Sequence, residues 1–406
     1  MPDVLTEVAP LPASQPRTRL GGGLDGEDAP QREVRGFTAR QRFDLIGAGA
    51  AGAALAALLF GWFAPLAGAI GWVVVAFLAF LGLHVLLVSL DSDLEEVKDR
   101  LATTLFSTAG VVLFGVLAFV VFYTILRGLE ALSHPSFFVQ TMQFAGPLDP
   151  LDVGGIAHAI VGTLIQISIA LAITVPLGIA TAVFLNEVGG RFARFVRTVS
   201  DAMTALPSVV AGLFVYAAVI QGITHERSGI AASLAITVMM LPIVIRSSDV
   251  VLRLVPGNLR EASYALGSSK WRTVWHVVLP TSRSGLVTAV ILGTARGIGE
   301  TSPVLLTSGV SAALNTNPFK GPMISLPLQV FDFVRSPEPT MVARGFGTAT
   351  VLLLLVLILF ATARALGGRA PGELSVRQAD RARSTSIRDL QRISAKHVPL
   401  PSAETS

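Results

Sequence analysis

The chain has 406 residues, 52% of them hydrophobic and only 14% charged, with a mean hydropathy of +0.65. A soluble domain carries roughly 25% charge. These values exclude one and leave an all-α membrane protein, a polytopic helical bundle whose apolar runs are continuous rather than alternating as in a barrel. There is no cysteine, the six histidines are scattered, and no lysine follows a glycine, so the sequence offers no disulfide, no metal site and no phosphate-gripping P-loop.

Residues 1–43 are rich in Pro, Gly, Asp and Arg and read as a disordered tail, too polar for a signal peptide. Spans are predicted at about 45–65 and 68–90, forming a tight hairpin within 44–92 whose first member is rich in alanine and glycine. Residues 91–100 read as a short polar loop, followed by a third span at 101–126 and an irregular outer loop at 128–157. The fourth span, about 157–185, contains Pro176-Leu177-Gly178, a kink tolerated only where neighbours satisfy the freed carbonyl. A polar loop with Arg191, Arg194 and Arg197 leads to a fifth span at 203–221, entered through Leu206-Pro207-Ser208. The sixth span is 229–246, the seventh 285–306 and the eighth 347–366. Between the last two lies an outer loop holding the amphipathic piece LPLQVFDFV at 326–334. The basic tail at 368–406 reads as disordered or as a basic surface helix.

Eight spans put both termini on one side. That side carries 25 lysines and arginines and the other carries 5, with Arg296 alone inside a span. The bias predicts that the termini and the stretch 261–280 are cytoplasmic. It also accounts for the pI near 9.8 without nucleic-acid binding.

Two stretches carry chemistry. Residues 261–280, EASYALGSSKWRTVWHVVLP, are too charged for lipid. They predict one helix ended by Gly267 and a second from Ser268 to Val278 that Pro280 stops. Trp271 and Trp275 are one turn apart and read as packing or interfacial anchors. In the seventh span, Arg296 and Glu300 stand four apart in the run Ala295 to Pro303, which also contains Thr301. Two charges in a span are costly and mark either a pathway or an ion pair that locks helices. Arginine suits a tetrahedral oxyanion because its planar fork donates two parallel hydrogen bonds. Gly297 and Gly299 would let another backbone or a substrate come close. Arg246, closing the sixth span, is either a snorkelling end residue or part of an exit path.

The 261–280 stretch resembles the EAA loop of ABC importer permeases: Glu261, Ala262, Gly267, Leu279 and Pro280 match, Ser263 replaces the second alanine and Val277 the isoleucine. The run 295–303 resembles the phosphate-specific importer permeases, as do 162–187, 205–214, 241–246 and 326–333. The segments after Glu300 look like the PstA type of subunit rather than its PstC-type partner. This resemblance covers about 100–366 and implies a six-span permease domain at 100–367, with the hairpin 44–92 as an extra. It further implies a subunit of the bacterial plasma membrane that hydrolyses nothing and needs no cofactor. Its partners would be a second, PstC-like permease, two copies of an ATPase and an extracellular phosphate-binding protein, with inorganic phosphate as cargo and membrane lipid as surroundings. Glu261, Ala262, Ser263, Gly267, Leu279 and Pro280 would dock the ATPase, and Arg296, Glu300, Thr301 and Arg246 would line the substrate path. The alternatives are a sulfate or molybdate importer permease, the PstC-type subunit, or an autonomous channel or secondary transporter. A membrane enzyme is disfavoured, because no nucleophile–base constellation is present.

Overall fold

The computed structural model describes residues 39–63, 68–90, 93–367 and 376–396, and every regular element among them is helical. The expected tail 1–43 lies almost wholly outside the described residues, as do the turn of the hairpin and the chain end beyond 396. Among the described residues, seven helices are long and apolar enough to cross a membrane, or eight if one bent pair is counted as a span. Two compact units divide the chain, Met1–Val116 and Leu117–Ser406.

In the first unit, α1 (Ala39–Leu58, continued by a π turn Leu59–Phe63) packs along α2 (Ala69–Ser89), with Gly52 set against the backbone of Phe80 and Ala76. The helix α3 (Leu94–Leu132) starts where a polar loop was expected. Its first turns are stabilised by acidic residues at the helix N-terminus and by the pairs Lys98–Glu95 (2.8 Å) and Arg100–Glu96 (2.5 Å). At 39 residues α3 extends for about 58 Å, well beyond a ~30 Å hydrocarbon core.

The second unit continues through α4 (Ser136–Val139) to α5 (Ala157–Val183), which runs unbroken through Pro176 and ends in a π turn, Phe184–Val188. The expected polar loop after it is instead an amphipathic helix, α6 (Gly190–Thr204). It meets α7 (Ser208–Val215, extended by a π turn Tyr216–Thr224) at 108°. The helix of the expected fifth span therefore begins at Ser208 and not at Met203, and it counts as a span only together with α6, as that bent pair. Proline at 207 keeps Leu206 out of the α region and sets the first turn of the next helix. On α6, Arg197 pairs with Asp249 (3.4 Å), while Phe192 and Phe195 stay exposed.

The centre of the unit is α8 (Gly229–Arg253), two-thirds of whose apolar window is buried inside the protein. It packs against α5 and against α11 (Leu279–Ile298). Before α11 come α9 (Gly257–Ala265) and α10 (Lys270–Thr273), the latter joined to α11 by a π turn, Val274–Val278. Pro280 thus does not stop a helix: one continuous helix runs from Lys270 to Ile298. The π turn, in which the Leu279 N–H bonds Val274 O, shifts the register just ahead of the proline and lets its missing N–H fall in the first turn of α11. The seventh span then breaks at Gly299–Thr301 and resumes as α12 (Ser302–Thr307), so it is not continuous to Leu306.

The segment LPLQVFDFV forms α13 (Leu326–Val334) as expected. The last span, α14 (Pro339–Gly367), starts eight residues before the predicted Gly347, and α15 (Val376–Lys396) makes the tail's middle a helix rather than a coil. Between α12 and α13 the chain is irregular yet partly buried. Its backbone is satisfied by Ser228 N–H to Thr307 O (3.1 Å), Ile230 N–H to Pro318 O (2.7 Å) and Met323 N–H to Ser308 O (3.0 Å). Buried non-helical backbone persists only when its polar groups are paired in this way.

Candidate functional site

The first candidate site is the end of the bundle that carries α9. Gly267 has φ +79° and closes α9, its N–H bonding Tyr264 O (2.9 Å) while the Ser268 N–H reaches back to Ser263 O (3.1 Å). This is the left-handed closing turn that glycine favours. Gly267→Ala is expected to cost roughly 1–2 kcal/mol, the penalty of an L residue in that region, and a lowered unfolding midpoint in detergent checks it. Ser263, the departure from the family pattern, is buried and bonds the Thr273 hydroxyl at 2.9 Å, which pins α9 to α10.

The pair is also anchored to the end of α5. Arg260 forms an ion pair with Glu187 (3.2 Å) and donates to the carbonyls of Val255 and Leu252, 3.0 Å each. Lys270 Nζ donates to the Glu187 carbonyl at 3.2 Å. The outer surface is open and largely apolar: Leu266 is 87% exposed, and Trp271, Trp275 and Tyr264 are also exposed. Glu261 and Ala262 lie on this open side, and Glu261 has no polar partner among the described residues. Leu279 is half-buried at the head of α11 and Pro280 is exposed beside it. Of the six predicted docking residues, Glu261, Ala262 and Gly267 are exposed on α9 and its closing turn, Pro280 is exposed and Leu279 half-buried at the head of α11, and Ser263 is buried between α9 and α10.

The second candidate site lies at the other end of α11. Arg296 is in its last turn, where the negative end of the helix dipole favours a cation. Glu300 lies in the break beyond the helix, yet the two side chains meet, Arg296 Nε to Glu300 Oε1 at 2.9 Å. Their environments differ: the Arg296 side chain is 54% exposed and that of Glu300 10%. Thr301 occupies the N-cap position of α12, half-buried, without a side-chain capping bond. Behind Glu300, Gln166 Nε2 donates to Met323 O (2.7 Å) and Thr163 Oγ1 accepts from Leu326 N–H (2.7 Å). The cavity among Glu300, Gln166 and Ser325 is about 10 Å³, scarcely a water's worth.

Gly297 lets a neighbouring helix come close. It is buried against Met240 and Ile236 of α8, where no side chain fits, whereas Gly299 is exposed. The facing pairs Gly297–Met240, Gly293–Val244 and Gly285–Val251 set an antiparallel register of α8 and α11. In that register Arg246 lies level with residue 291, about 7 Å along the axis from Arg296. The structure does not bring the two together: Arg246 is exposed and has no polar partner among the described residues.

Two hubs escaped the sequence reading. Asp249 gathers Asn186 Nδ2 (2.7 Å), Arg253 (2.7 Å) and Arg197 (3.4 Å). Only the spacing of Asp249 and Arg253, four apart on a helix, hinted at it. Arg344 was counted as an outer-side charge but is fully buried. Its guanidinium donates to the carbonyls of Pro150 and Val153 (2.8 Å each) and Asp149 (3.1 Å). Nothing local in the sequence points to partners nearly 200 residues away.

Residues 174–369 match the family model described as "Binding-protein-dependent transport system inner membrane component". The chain is 39% identical over 263 residues to "Phosphate transport system permease protein PstA 1" of Mycobacterium tuberculosis, covering 64% of this chain and 86% of that protein. It is 36% identical over 273 residues to "Phosphate transport system permease protein PstA" of Yersinia pestis, covering 66% and 90%. Among solved structures, a bacterial ABC transporter involved in the import of the acidic polysaccharide alginate superposes with a TM-score of 0.41 at 14% identity, over 64% of this chain and 95% of that one.

Proposed function

Because this chain belongs to the PstA family of phosphate transport system permeases, we infer how its own residues carry out that work. The protein is the membrane-spanning permease subunit of an ATP-driven phosphate importer, and it acts with other transport subunits. Our reading is that those are a second, PstC-like permease, a pair of ATPase subunits and an extracellular phosphate-binding protein. Both termini and α9 face the cytoplasm, as the lysine and arginine bias suggests.

The observation that carries the reading is the half-open guanidinium of Arg296. A charge at the end of a membrane helix with half its surface uncovered cannot face lipid tails. Thr288, Leu292 and Arg296 form one exposed stripe along α11, which we assign to the second permease and to the hydrated path between the two. Phosphate entering that path meets Arg296 as a two-pronged donor, and Glu300 holds the arginine in place between passages. In this reading the ATPase grips the open apolar face around Leu266, and its closure moves α9, which Arg260, Lys270 and Ser263 couple to the spans.

The absence of cysteine makes the docking test direct. Leu266→Cys supplies the chain's one thiol. In cells it is expected to crosslink to the ATPase subunit and to be shielded from a membrane-permeant maleimide when that subunit is present. A thiol reached by an impermeant reagent added outside intact cells would invert the orientation and remove the docking assignment.

A further inference from the structure

The helix α6 leaves two of its faces without a partner. Gly189 and Gly190, with φ of +67° and +86°, turn the chain out of the fourth span through a conformation that L side chains rarely adopt. Fifteen helical residues follow, Gly190–Thr204, about 22 Å in length. One edge packs on the bundle. Ala193 and Ser200 are buried, Ala193 lies with Leu185 and with Ile245 of α8, and Arg197 pairs with Asp249. The three arginines spaced by three are thereby divided. Arg197 is an anchor, whereas Arg191 and Arg194 are exposed, and their guanidinium groups have no polar partner among the described residues.

The remaining surface separates by chemistry. At about 100° per residue, Phe192, Phe195, Val199 and Ala202 fall within an arc of about 80°. All four are exposed, Phe192 by 66% and Phe195 by 62%. Arg191, Arg194, Thr198 and Asp201 fill an adjoining arc of about 80°, and they too are exposed except at the shared edge with Arg197. Asp201 lies about 10 Å along the axis from Arg194, so the first two turns of the charged arc are cationic.

Two observations say what covers the apolar arc. The Phe192 ring meets Phe184 edge-on with centroids 5.7 Å apart, and it stacks on Phe195 at 6.2 Å. Phe184 in turn ends a stripe of Ile173, Leu177 and Ala180 along α5, all exposed or half-buried on one helical face. The apolar arc of α6 therefore continues a surface that a membrane span turns outward. The second observation is the 108° bend between α6 and α7. With α7 upright in the bilayer, α6 lies nearly in the membrane plane at the end of the spans. Its aromatic side then reaches the acyl chains and its arginines lie level with the headgroups. We propose that α6 is an interfacial helix whose Arg191 and Arg194 hold the phosphate of an anionic phospholipid, with Phe192, Phe195 and Val199 set among the upper acyl chains. Two guanidinium forks one turn apart offer paired N–H donors to a phosphodiester. An anionic headgroup is favoured over a zwitterionic one, whose own ammonium offsets the charge. The site is independent of the path through Arg296.

The test uses the full-length chain, with the subunits that co-purify with it, in nanodiscs of equal parts phosphatidylglycerol and phosphatidylcholine. The cysteine-free sequence allows single reporters. A spin label on Phe195→Cys is expected to collide mainly with dissolved oxygen, which concentrates among acyl chains, and one on Thr198→Cys mainly with a water-soluble nickel chelate. A photocrosslinker on Thr198→Cys, between the two free arginines, should capture phosphatidylglycerol over phosphatidylcholine by about tenfold or more, as two basic residues at a charged surface imply. Arg191→Gln with Arg194→Gln should bring that ratio close to parity. A Phe195 label reached by nickel as readily as the Thr198 label puts α6 in water, and one shielded from both collision partners puts protein over it; either result overturns the proposal. Equal capture of the two lipids by the parent overturns it as well, and so does a ratio that the double variant leaves unchanged. Should the double variant fail to reach the membrane, Arg194→Gln alone must lower the ratio or the proposal falls.

Discussion

Arg296→Gln is expected to lower phosphate uptake roughly 100-fold or more while the chain still reaches the membrane. The substitution removes a fixed positive charge and a planar donor fork. Two charge-assisted hydrogen bonds are worth about 1.5–3 kcal/mol each, and about 1.4 kcal/mol is a factor of ten in rate. It also strands Glu300, which is nearly buried and has Arg296 as its ion-pair partner at 2.9 Å. Two effects are thus mixed in one variant, and Glu300→Gln separates them. Alone, Glu300→Gln should leave assembly intact and alter uptake, because it frees the arginine. Combined with Arg296→Gln it should restore stability without restoring transport. Arg296→Lys keeps the charge but not the fork and should fall between. Labelled-phosphate uptake, normalised to the amount of subunit in the membrane, measures all four. Wild-type uptake by Arg296→Gln would remove the guanidinium from the path.

Arg344→Met should be among the most damaging single replacements for stability, at about 3–5 kcal/mol. The side chain has no exposed surface, and three carbonyls of the turn 149–153 depend on its Nη2. The carbonyls of this partly buried turn, left without a donor, carry part of their desolvation cost. Lysine is no substitute, since a single ammonium lacks the spread of a guanidinium that also lies 3.4 Å from the Met341 sulfur. The expected signature is a lower unfolding midpoint together with new protease cleavage within 146–153. A variant that melts and resists protease like the parent would show that this turn is held by other contacts.

The spans were legible because hydrophobic length is a direct record of the bilayer, and seven or eight were found where eight were expected. The resemblance around Glu261 and Gly267 was legible because a left-handed turn demands glycine, and φ at Gly267 is +79°. The Arg296–Glu300 pair was legible from spacing alone, although a break rather than a regular helix brings the two together. The misplaced boundaries have a common origin. A π turn such as Val274–Val278 inserts a residue without any compositional mark, so Pro280 looked like a stop. The bend at Leu206-Pro207 and the break before Pro303 were signalled by proline, but an apolar window averages across them. Arg344 and Asp249 were hidden for another reason: their partners are set by tertiary contact, on which a charge count is silent.

Glu187 and Gln166 sit near opposite ends of one helix that Pro176 does not interrupt, 21 residues and so about 30 Å apart. At one end Glu187 holds both limbs of the α9–α10 elbow, and at the other Gln166 and Thr163 hold the backbone just before α13. The helix is therefore a rod with a fitting at each tip. Under the proposed docking, a push on the elbow would reach the α13 end through this one rod, by a route that does not include Arg296.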